Sequence, residues 1–156
     1  MTGAENQQER LKIEIGHWIC GFVDGEGCFS VSIIKNNTTK SGVQIFPEFV
    51  VTQGAKSLSA LEEIKNFFEC GNIFVNKRYD NHREDLYRYC VRSVTELSTK
   101  IIPFFTEHTL RTNKQNDFMI FHEIILSMTK KEHLTDSGRE KIFKLAEKMN
   151  RKKKRF

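Results

Sequence analysis

The sequence lacks several features that would place a protein in a broad class. No apolar run approaches the roughly 18–20 residues that a transmembrane helix needs, and the first ten residues carry neither the basic nor the apolar region of a secretory signal. Four cysteines are present, but no Cys-x-x-Cys pair occurs among them. We therefore expect an intracellular protein, in the cytoplasm or inside an organelle, with reduced thiols, no membrane partner, and neither a zinc site nor a disulfide framework.

The chain also has little excess of charge of one sign. The net charge is +5, but the segment 151–155 supplies all of it, because residues 1–150 hold equal numbers of basic and acidic side chains. The simplest interpretation of such a segment is a solvated tail. The basic balance by itself therefore gives only weak support for nucleic-acid binding. We interpret residues 1–150 as a single domain and residues 151–156 as a basic C-terminal tail.

Alternating helical and strand patterns fill the rest of the chain. Apolar residues at three- and four-residue steps predict a first helix over about 7–24: Leu11, Ile15, Trp18, Ile19 and Phe22. Period-two alternation and turn signals predict strands beginning at Phe29 and over 43–52, 72–78 and 86–92. Further helices are expected over 57–69, 94–104, 113–128 and 137–149. The order α-β-β-α-β-β, followed by the late helices, indicates an α+β domain with a four-stranded antiparallel sheet under helices.

Two residues mark local features of these elements. Pro47 lies inside the second predicted strand and suggests a kink, a bulge or an edge position, because proline cannot donate a ladder hydrogen bond. Gly71 follows the second predicted helix and is expected to end it.

The segment with the clearest chemical content lies at the end of the first helix. Residues 19–27 read Ile-Cys-Gly-Phe-Val-Asp-Gly-Glu-Gly. This segment resembles the LAGLIDADG motif of homing endonucleases, and four residues match its fixed positions: Gly21, Asp24, Glu26 and Gly27. The order of the apolar and polar segments that follow is also similar to the family, so that the resemblance covers about residues 11–126.

The resemblance implies a homing-endonuclease fold, α-β-β-α-β-β-α, whose four-stranded antiparallel sheet serves as a DNA-binding saddle. It also implies a site-specific, intron-encoded nuclease that hydrolyses phosphodiester bonds in both strands of double-stranded DNA. Because only one motif is present, the resemblance implies a homodimer and a pseudo-palindromic target. Gly21 and Gly25 would form the dimer interface, since glycine lets two helix backbones approach closely.

Glu26 is the principal candidate for the active site. A carboxylate at a helix C-terminus faces the negative end of the helix dipole, which is unfavourable for stability and therefore suggests a functional role. In a dimer, two copies of Glu26 would come together. The resemblance implies that Glu26 and the backbone carbonyl of Gly25 bind Mg²⁺, with Mn²⁺ as a substitute. Without the resemblance, Asp-Gly-Glu-Gly would be interpreted as a polar turn.

The resemblance also implies supporting catalytic residues. Gln53 matches the polar residue after the second strand that orders water or metal. Lys114 matches a basic residue in the late part of the chain, with Arg111 and Lys56 as alternatives. A solvated surface charge is the competing interpretation of each lysine.

Alternate residues of the predicted strands would face the major groove, which admits a two-stranded ribbon. The candidate DNA-binding residues are Ser30, Ser32, Ile34, Asn36, Gln44, Phe46, Glu48, Asn72, Phe74, Asn76, Arg78, Arg88 and Arg92. Asn and Gln suit adenine, and Arg suits guanine. For each residue the alternative is an exposed sheet face without a ligand. The aromatic side chains argue against that alternative, because exposed aromatics on a sheet usually contact something.

Two other functions remain open at the level of sequence. The chain could be a maturase that binds its own intron RNA, a partner that the basic tail would suit, or a DNA-binding regulator without catalytic activity. Retention of Glu26 and Gln53 favours the nuclease. Metal-dependent cleavage of duplex DNA would separate the nuclease from both alternatives, and an ordinary domain with no nucleic-acid role has the least support.

Overall fold

The computed structural model describes residues 2–77, 79 and 84–150. The helices in this part of the chain are α1 (Gly3–Glu26), α2 (Leu58–Phe68), α3 (Val94–Glu96), α4 (Ile102–Glu107), α5 (Lys114–Thr129) and α6 (Asp136–Asn150). The strands are β1 (Gly27–Lys35), β2 (Val43–Gly54), β3 (Asn72–Asn76) and β4 (Leu86–Val91). A π-helical turn, Leu97–Ile101, joins α3 to α4 without a break. The predicted α+β class and element order are confirmed.

The four strands form one antiparallel sheet with the order β1-β2-β4-β3. β1 pairs with β2 along its whole length, from Gly27 opposite Val51 to Lys35 opposite Val43. β4 pairs with β2 only from Phe49 onwards. Pro47 therefore lies in the part of β2 that has a neighbour on one side only, so its missing N–H costs no hydrogen bond to β4. Of the three possibilities for Pro47, the structure shows an edge position.

The helices cover one face of the sheet and leave the other open. α2 packs against β2 and β4, while α5 and α6 pack against β1. Phenylalanine fills the layer between them. The ring of Phe29 lies 5.1 Å from that of Phe49 and 5.3–5.4 Å from three rings supplied by the helices: Phe105, Phe118 and Phe121. This aromatic cluster fixes the sheet on the helices, so the open face is presented on a rigid base.

α1 is longer than predicted at both ends. At its N-terminus, the backbone amide of Thr2 donates to the Glu5 carboxylate at 2.8 Å, as part of a capping box. At its C-terminus the helix includes Glu26 and turns directly into β1 at Gly27, two residues before the predicted start of the strand. A Cβ atom on Gly27 would lie 2.6 Å from Val23 Cγ1, so the close approach at this turn requires glycine.

α2 also ends differently from the prediction. The last helical residue is Phe68, and Glu69 adopts the left-handed conformation with φ 52°. Gly71, expected to end the helix, instead makes the turn into β3 with φ 75°, where a Cβ atom would lie 2.6 Å from the Cys90 carbonyl oxygen. β3 ends at Asn76 rather than 78, and the third helical segment continues to Glu107. None of the described helices has the length and hydropathy of a membrane span.

Candidate active site

The motif residues lie at the junction of α1 and β1, and Glu26 is the last residue of the helix. Its side chain is exposed and makes no hydrogen bond or ion pair with another described residue. The carboxylate therefore stands at the negative end of the α1 dipole without a cation bound to it directly. This placement is poor for stability, as the sequence suggested, and leaves both oxygens available to a ligand.

Asp24 has the opposite environment. Its carboxylate accepts hydrogen bonds from the backbone amides of Arg111 (2.8 Å) and Thr112 (3.1 Å), and from the Thr112 hydroxyl (2.5 Å). Although burial raises the pKa of Asp24, these hydrogen bonds, led by that from Thr112, outweigh it and hold the pKa below its ordinary value. Asp24 therefore fastens the loop before α5 to the end of α1.

Lys114, the first residue of α5, is positioned by that loop. Its amine donates to the backbone carbonyl oxygens of Val23 (2.8 Å) and Asp24 (2.9 Å), in the last turn of α1. Burial lowers the pKa of Lys114, and the negative charges of Asp24 and Glu26 counteract part of this effect. The amine therefore compensates the negative end of the helix dipole beside Glu26.

The other predicted basic residues lie differently. Arg111 contributes its backbone amide to Asp24, while its side chain is exposed. Lys56 is also exposed, and its backbone amide donates to the Glu84 carboxylate at 3.1 Å. Of the three basic candidates, Lys114 is the one whose charged group the structure places against the end of α1.

Gln53 is half-buried near the end of β2 and pairs with Tyr87. Two residues before it, Val51 pairs with Gly27. Gly27 is the residue that immediately follows Glu26. The register therefore brings Gln53 and Glu26 to the same end of the sheet, where Lys114 is also found.

The donor set suits a hard cation only in part. Within residues 2–77, 79 and 84–150, no group of three or more His, Cys, Asp or Glu side chains could hold a metal ion. The oxygens of Asp24 are engaged, whereas the Glu26 carboxylate and the Gly25 carbonyl are oxygen donors at the end of α1. Oxygen donors of these two kinds fit magnesium. A magnesium ion at this point would need further oxygen ligands beyond these two.

The apolar residues whose spacing predicted α1 do not all face the core but divide between two faces of the helix. Ile19 and Val23 are buried in the core, whereas Leu11 is 52% exposed and Trp18 is 39% exposed. Apart from the backbone of the helix itself, no atom of the described residues would lie within 4 Å of a Cβ atom on Gly21 or Gly25. The exposed face thus combines apolar side chains with two glycines that no other described element packs against.

The open face of the sheet carries the predicted DNA-binding residues. Phe29, Phe49, Val51, Tyr89 and Val91 point toward the helices, so alternate positions point away from them. The residues placed on the open face or in the hairpin that extends it are Ser30, Ser32, Ile34, Asn36, Gln44, Phe46, Glu48, Asn72, Phe74, Asn76, Arg88 and Arg92. Arg78 lies outside the described residues.

Within this set, Glu48 differs from expectation. It is 8% exposed, and its Oε1 and Oε2 accept hydrogen bonds from Arg88 Nη2 (2.9 Å) and Arg92 Nε (2.6 Å). The Arg92 guanidinium also lies over the rings of Phe46 (5.5 Å) and Phe74 (4.9 Å). Glu48 is therefore engaged in an ion-pair network rather than presented to solvent as a DNA-binding side chain.

Sequence reasoning missed two of these contacts. The side-chain bond between Asp24 and Thr112 joins residues 88 positions apart, and the pair Glu48–Arg92 joins residues 44 positions apart. Strand alternation placed Glu48 and the arginines on one face, but it gave no information on which side chains would meet. No local signal in the sequence marks either contact.

Comparisons with known proteins agree with this geometry. A family model described as LAGLIDADG endonuclease matches residues 19–125. The chain belongs to the LAGLIDADG endonuclease family.

Among curated relatives, the chain is 31% identical over 130 residues to probable intron-encoded endonuclease 2 of Neurospora crassa, covering 83% of this chain but 26% of that protein. It is also 31% identical over 115 residues to probable intron-encoded DNA endonuclease aI1 of Mycosarcoma maydis, covering 73% of this chain and 94% of that one. The chain thus spans about a quarter of the first of these relatives and nearly the whole of the second.

Solved structures show the same fold. The homing endonuclease I-TnaI matches with a TM-score of 0.76 and 40% identity over 86% of this chain and 87% of that chain. The LAGLIDADG homing endonuclease I-LtrWI, bound to target DNA, matches with a TM-score of 0.80 and 33% identity over 86% of this chain and 44% of that chain.

Proposed function

We propose that this protein is a site-specific homing endonuclease that cuts both strands of duplex DNA with the help of divalent metal. The observation that carries the proposal is the junction of α1 and β1, where Glu26 is exposed and unbonded within the described chain while Asp24 and Lys114 are fixed around it. A helix end built with this many hydrogen bonds, yet leaving one carboxylate unpaired, is arranged for a ligand rather than for stability.

The proposed assembly is a homodimer through α1. The exposed face that contains Leu11, Trp18, Gly21 and Gly25 is apolar and has room for a second backbone. A twofold contact there would bring two copies of Glu26 together. The match to less than half of the DNA-bound I-LtrWI chain agrees with an arrangement in which two copies of this chain do the work of one longer chain.

Glu26 and the Gly25 carbonyl would hold Mg²⁺, with Mn²⁺ as a substitute, and the second copy and the DNA phosphates would supply further oxygens. When bound, the metal would activate water and stabilise charge on the phosphate. Lys114 compensates the negative end of the α1 dipole and would place positive charge beside the phosphate. This charge would stabilise the negative charge that develops on the phosphate in the transition state. Gln53, at the same end of the sheet, would orient the attacking water with its amide.

The open face of the sheet would lie in the major groove. The nine residues of β1 span about 30 Å at roughly 3.3 Å per residue, or about nine base pairs at 3.4 Å each. Two copies would therefore cover a pseudo-palindromic target on the order of 20 base pairs. The chain's backbone amides and lysines would position phosphates, while the side chains of the sheet read base edges.

The test is selection from a randomised duplex library, followed by incubation of the selected duplex with magnesium or with a chelator. The expected result is cleavage of both strands at one position, with magnesium and not with the chelator. Sequence-specific binding without cleavage would instead indicate a DNA-binding regulator. Preferential binding of structured RNA, with no selected duplex, would indicate the maturase.

A further inference from the structure

We infer that Glu48 is a positioning residue that holds Arg88 and Arg92 as one coupled guanine-reading unit on the open face of the sheet. The inference rests on the proposed DNA recognition and names the part of the sheet that sets base preference. It replaces the expectation that Glu48 itself contacts a base.

The geometry places one carboxylate under two guanidinium groups. Phe49 pairs with Val91 in the antiparallel ladder of β2 and β4. Because Glu48 precedes Phe49 and Arg92 follows Val91, Glu48 and Arg92 lie directly across from each other. Arg88 reaches the other oxygen from the same strand. The side chain of Glu48 is 10% exposed, whereas those of Arg88 and Arg92 are 37% and 40% exposed. The carboxylate is therefore beneath, and the arginines form the surface that DNA would meet.

The atoms used in these bonds leave the recognition edge of Arg92 available. Arg92 donates to Glu48 through Nε, and its Nη2 has only a long contact, 4.0 Å, to Cys90 Sγ. The terminal edge formed by Nη1 and Nη2 is the fork that can pair with O6 and N7 of guanine. Arg88 uses Nη2 alone for Glu48, so its other nitrogens remain for a second base or a phosphate.

Two aromatic rings restrict Arg92 further. Phe46 and Phe74 come from β2 and β3, the two strands that flank β4, and both rings lie within 5.5 Å of the guanidinium carbon. An unrestrained arginine side chain loses rotamer entropy when it is fixed. The Glu48 carboxylate and the two rings already restrict Arg92 in the free protein, so part of its rotamer entropy is lost before DNA binds. The entropy cost of recognition is therefore smaller, and recognition becomes more selective.

Glu48 also limits binding to unrelated DNA. The three charged side chains carry a net charge of +1 rather than the +2 of two unpaired arginines. The carboxylate therefore weakens nonspecific attraction to phosphates while it orients the arginines. Removing the charge of Glu48 should therefore lower base discrimination and raise affinity for unrelated DNA. A residue that only stabilises the fold would not have this effect.

The experiment compares wild type and Glu48→Gln on the duplex that wild type selects, and on every single base-pair variant of it, in calcium to prevent cleavage. We expect discrimination to fall about 10-fold or more at two symmetric pairs of positions that prefer guanine, while affinity for an unrelated duplex rises about 3-fold. Glu62→Gln, on the exposed surface of α2, makes the same change in net charge and is the matched control. It should leave the base profile unchanged.

A second measurement remains informative if Glu48→Gln does not fold. Arg88→Lys and Arg92→Lys keep the charge but lose the planar fork. If one carboxylate couples the arginines, the effects of the two changes on base preference should be non-additive by about 3-fold or more. Additive effects, or a Glu48→Gln profile identical to wild type, would overturn the inference. Failure of wild type to select any duplex would overturn the proposed function instead.

Discussion

Lys114 and Asp24 position one another at the end of α1. The Lys114 amine donates to the Asp24 backbone carbonyl at 2.9 Å, and the Asp24 carboxylate binds the loop residues Arg111 and Thr112, which lie three and two residues before Lys114 in the chain. The motif aspartate thus fixes the loop that brings the lysine to the end of α1, and it would act on the proposed reaction only through that loop.

Glu26→Gln should abolish cleavage and preserve binding. The amide keeps the shape of the side chain but removes the charge that would hold a metal, and loss of a ligand should slow the reaction at least about 100-fold, equivalent to about 2.7 kcal/mol. A nicking assay in magnesium and a gel shift in calcium measure the two properties separately. Cleavage within about tenfold of wild type would show that Glu26 is not the metal ligand.

Lys114→Met should reduce cleavage about 10- to 100-fold and lower stability by about 1 kcal/mol, because the end of α1 loses its compensating charge. The controls are Lys56→Met and Arg111→Met, which remove the exposed alternative side chains. Both should cleave like wild type. If either control is impaired and Lys114→Met is not, the basic residue of the site has been misassigned.

Asp24→Asn should destabilise the protein by about 1 kcal/mol at pH 7, because charge-assisted hydrogen bonds to the loop are weakened. The folded-state pKa of Asp24 lies below its ordinary value. The contribution of the Asp24 carboxylate to the free energy of unfolding is therefore fully present above the unfolded pKa of about 3.9. It is lost as the pH falls through the folded-state pKa. Thermal unfolding measured between pH 7 and pH 2 should show that the stabilities of wild type and Asp24→Asn converge in acid. A constant separation would contradict this role.

Gly21→Leu should separate the protomers. Apart from the backbone of α1 itself, no described atom would lie within 4 Å of a Cβ at Gly21, so one copy of the chain can accept the side chain, whereas a second helix packed there cannot. Gly3→Leu is the control, since its Cβ is equally free in the same helix and lies about 27 Å away along the axis. Sedimentation should give a dimer for wild type and the control. An active monomer bound one per site would refute the proposed assembly.

Deletion of residues 151–156 should weaken binding to all duplexes alike and flatten its salt dependence. The segment supplies the whole net charge, and cationic side chains act through counterion release rather than base recognition. Binding to the selected and unrelated duplexes at two salt concentrations provides the measurement. A change in base preference on deletion would show that the tail reads sequence and that the roles of tail and sheet are reversed.

Much of this architecture follows from local properties of the chain. The alternation of Phe29, Val31 and Ile33 and the helical spacing of Ile15, Ile19 and Phe22 reflect periods of two and 3.6 residues, which depend on backbone geometry alone. These patterns determined the order of helices and strands. They were less accurate at boundaries: α1 extends through Glu26 because Gly27 permits an abrupt turn, and α2 ends at Phe68, three residues before Gly71.

The sequence by itself determined the fold class, the open face of the sheet and the motif that contains Glu26. Only the tertiary structure decided which charges meet. It assigned Asp24 to the loop at Thr112, chose Lys114 over Arg111 and Lys56 as the cation at the end of α1, and placed Glu48 beneath two arginines. The physical reason is that these bonds join residues 40 to 91 positions apart. Their formation depends on strand register and helix packing, which no local pattern specifies.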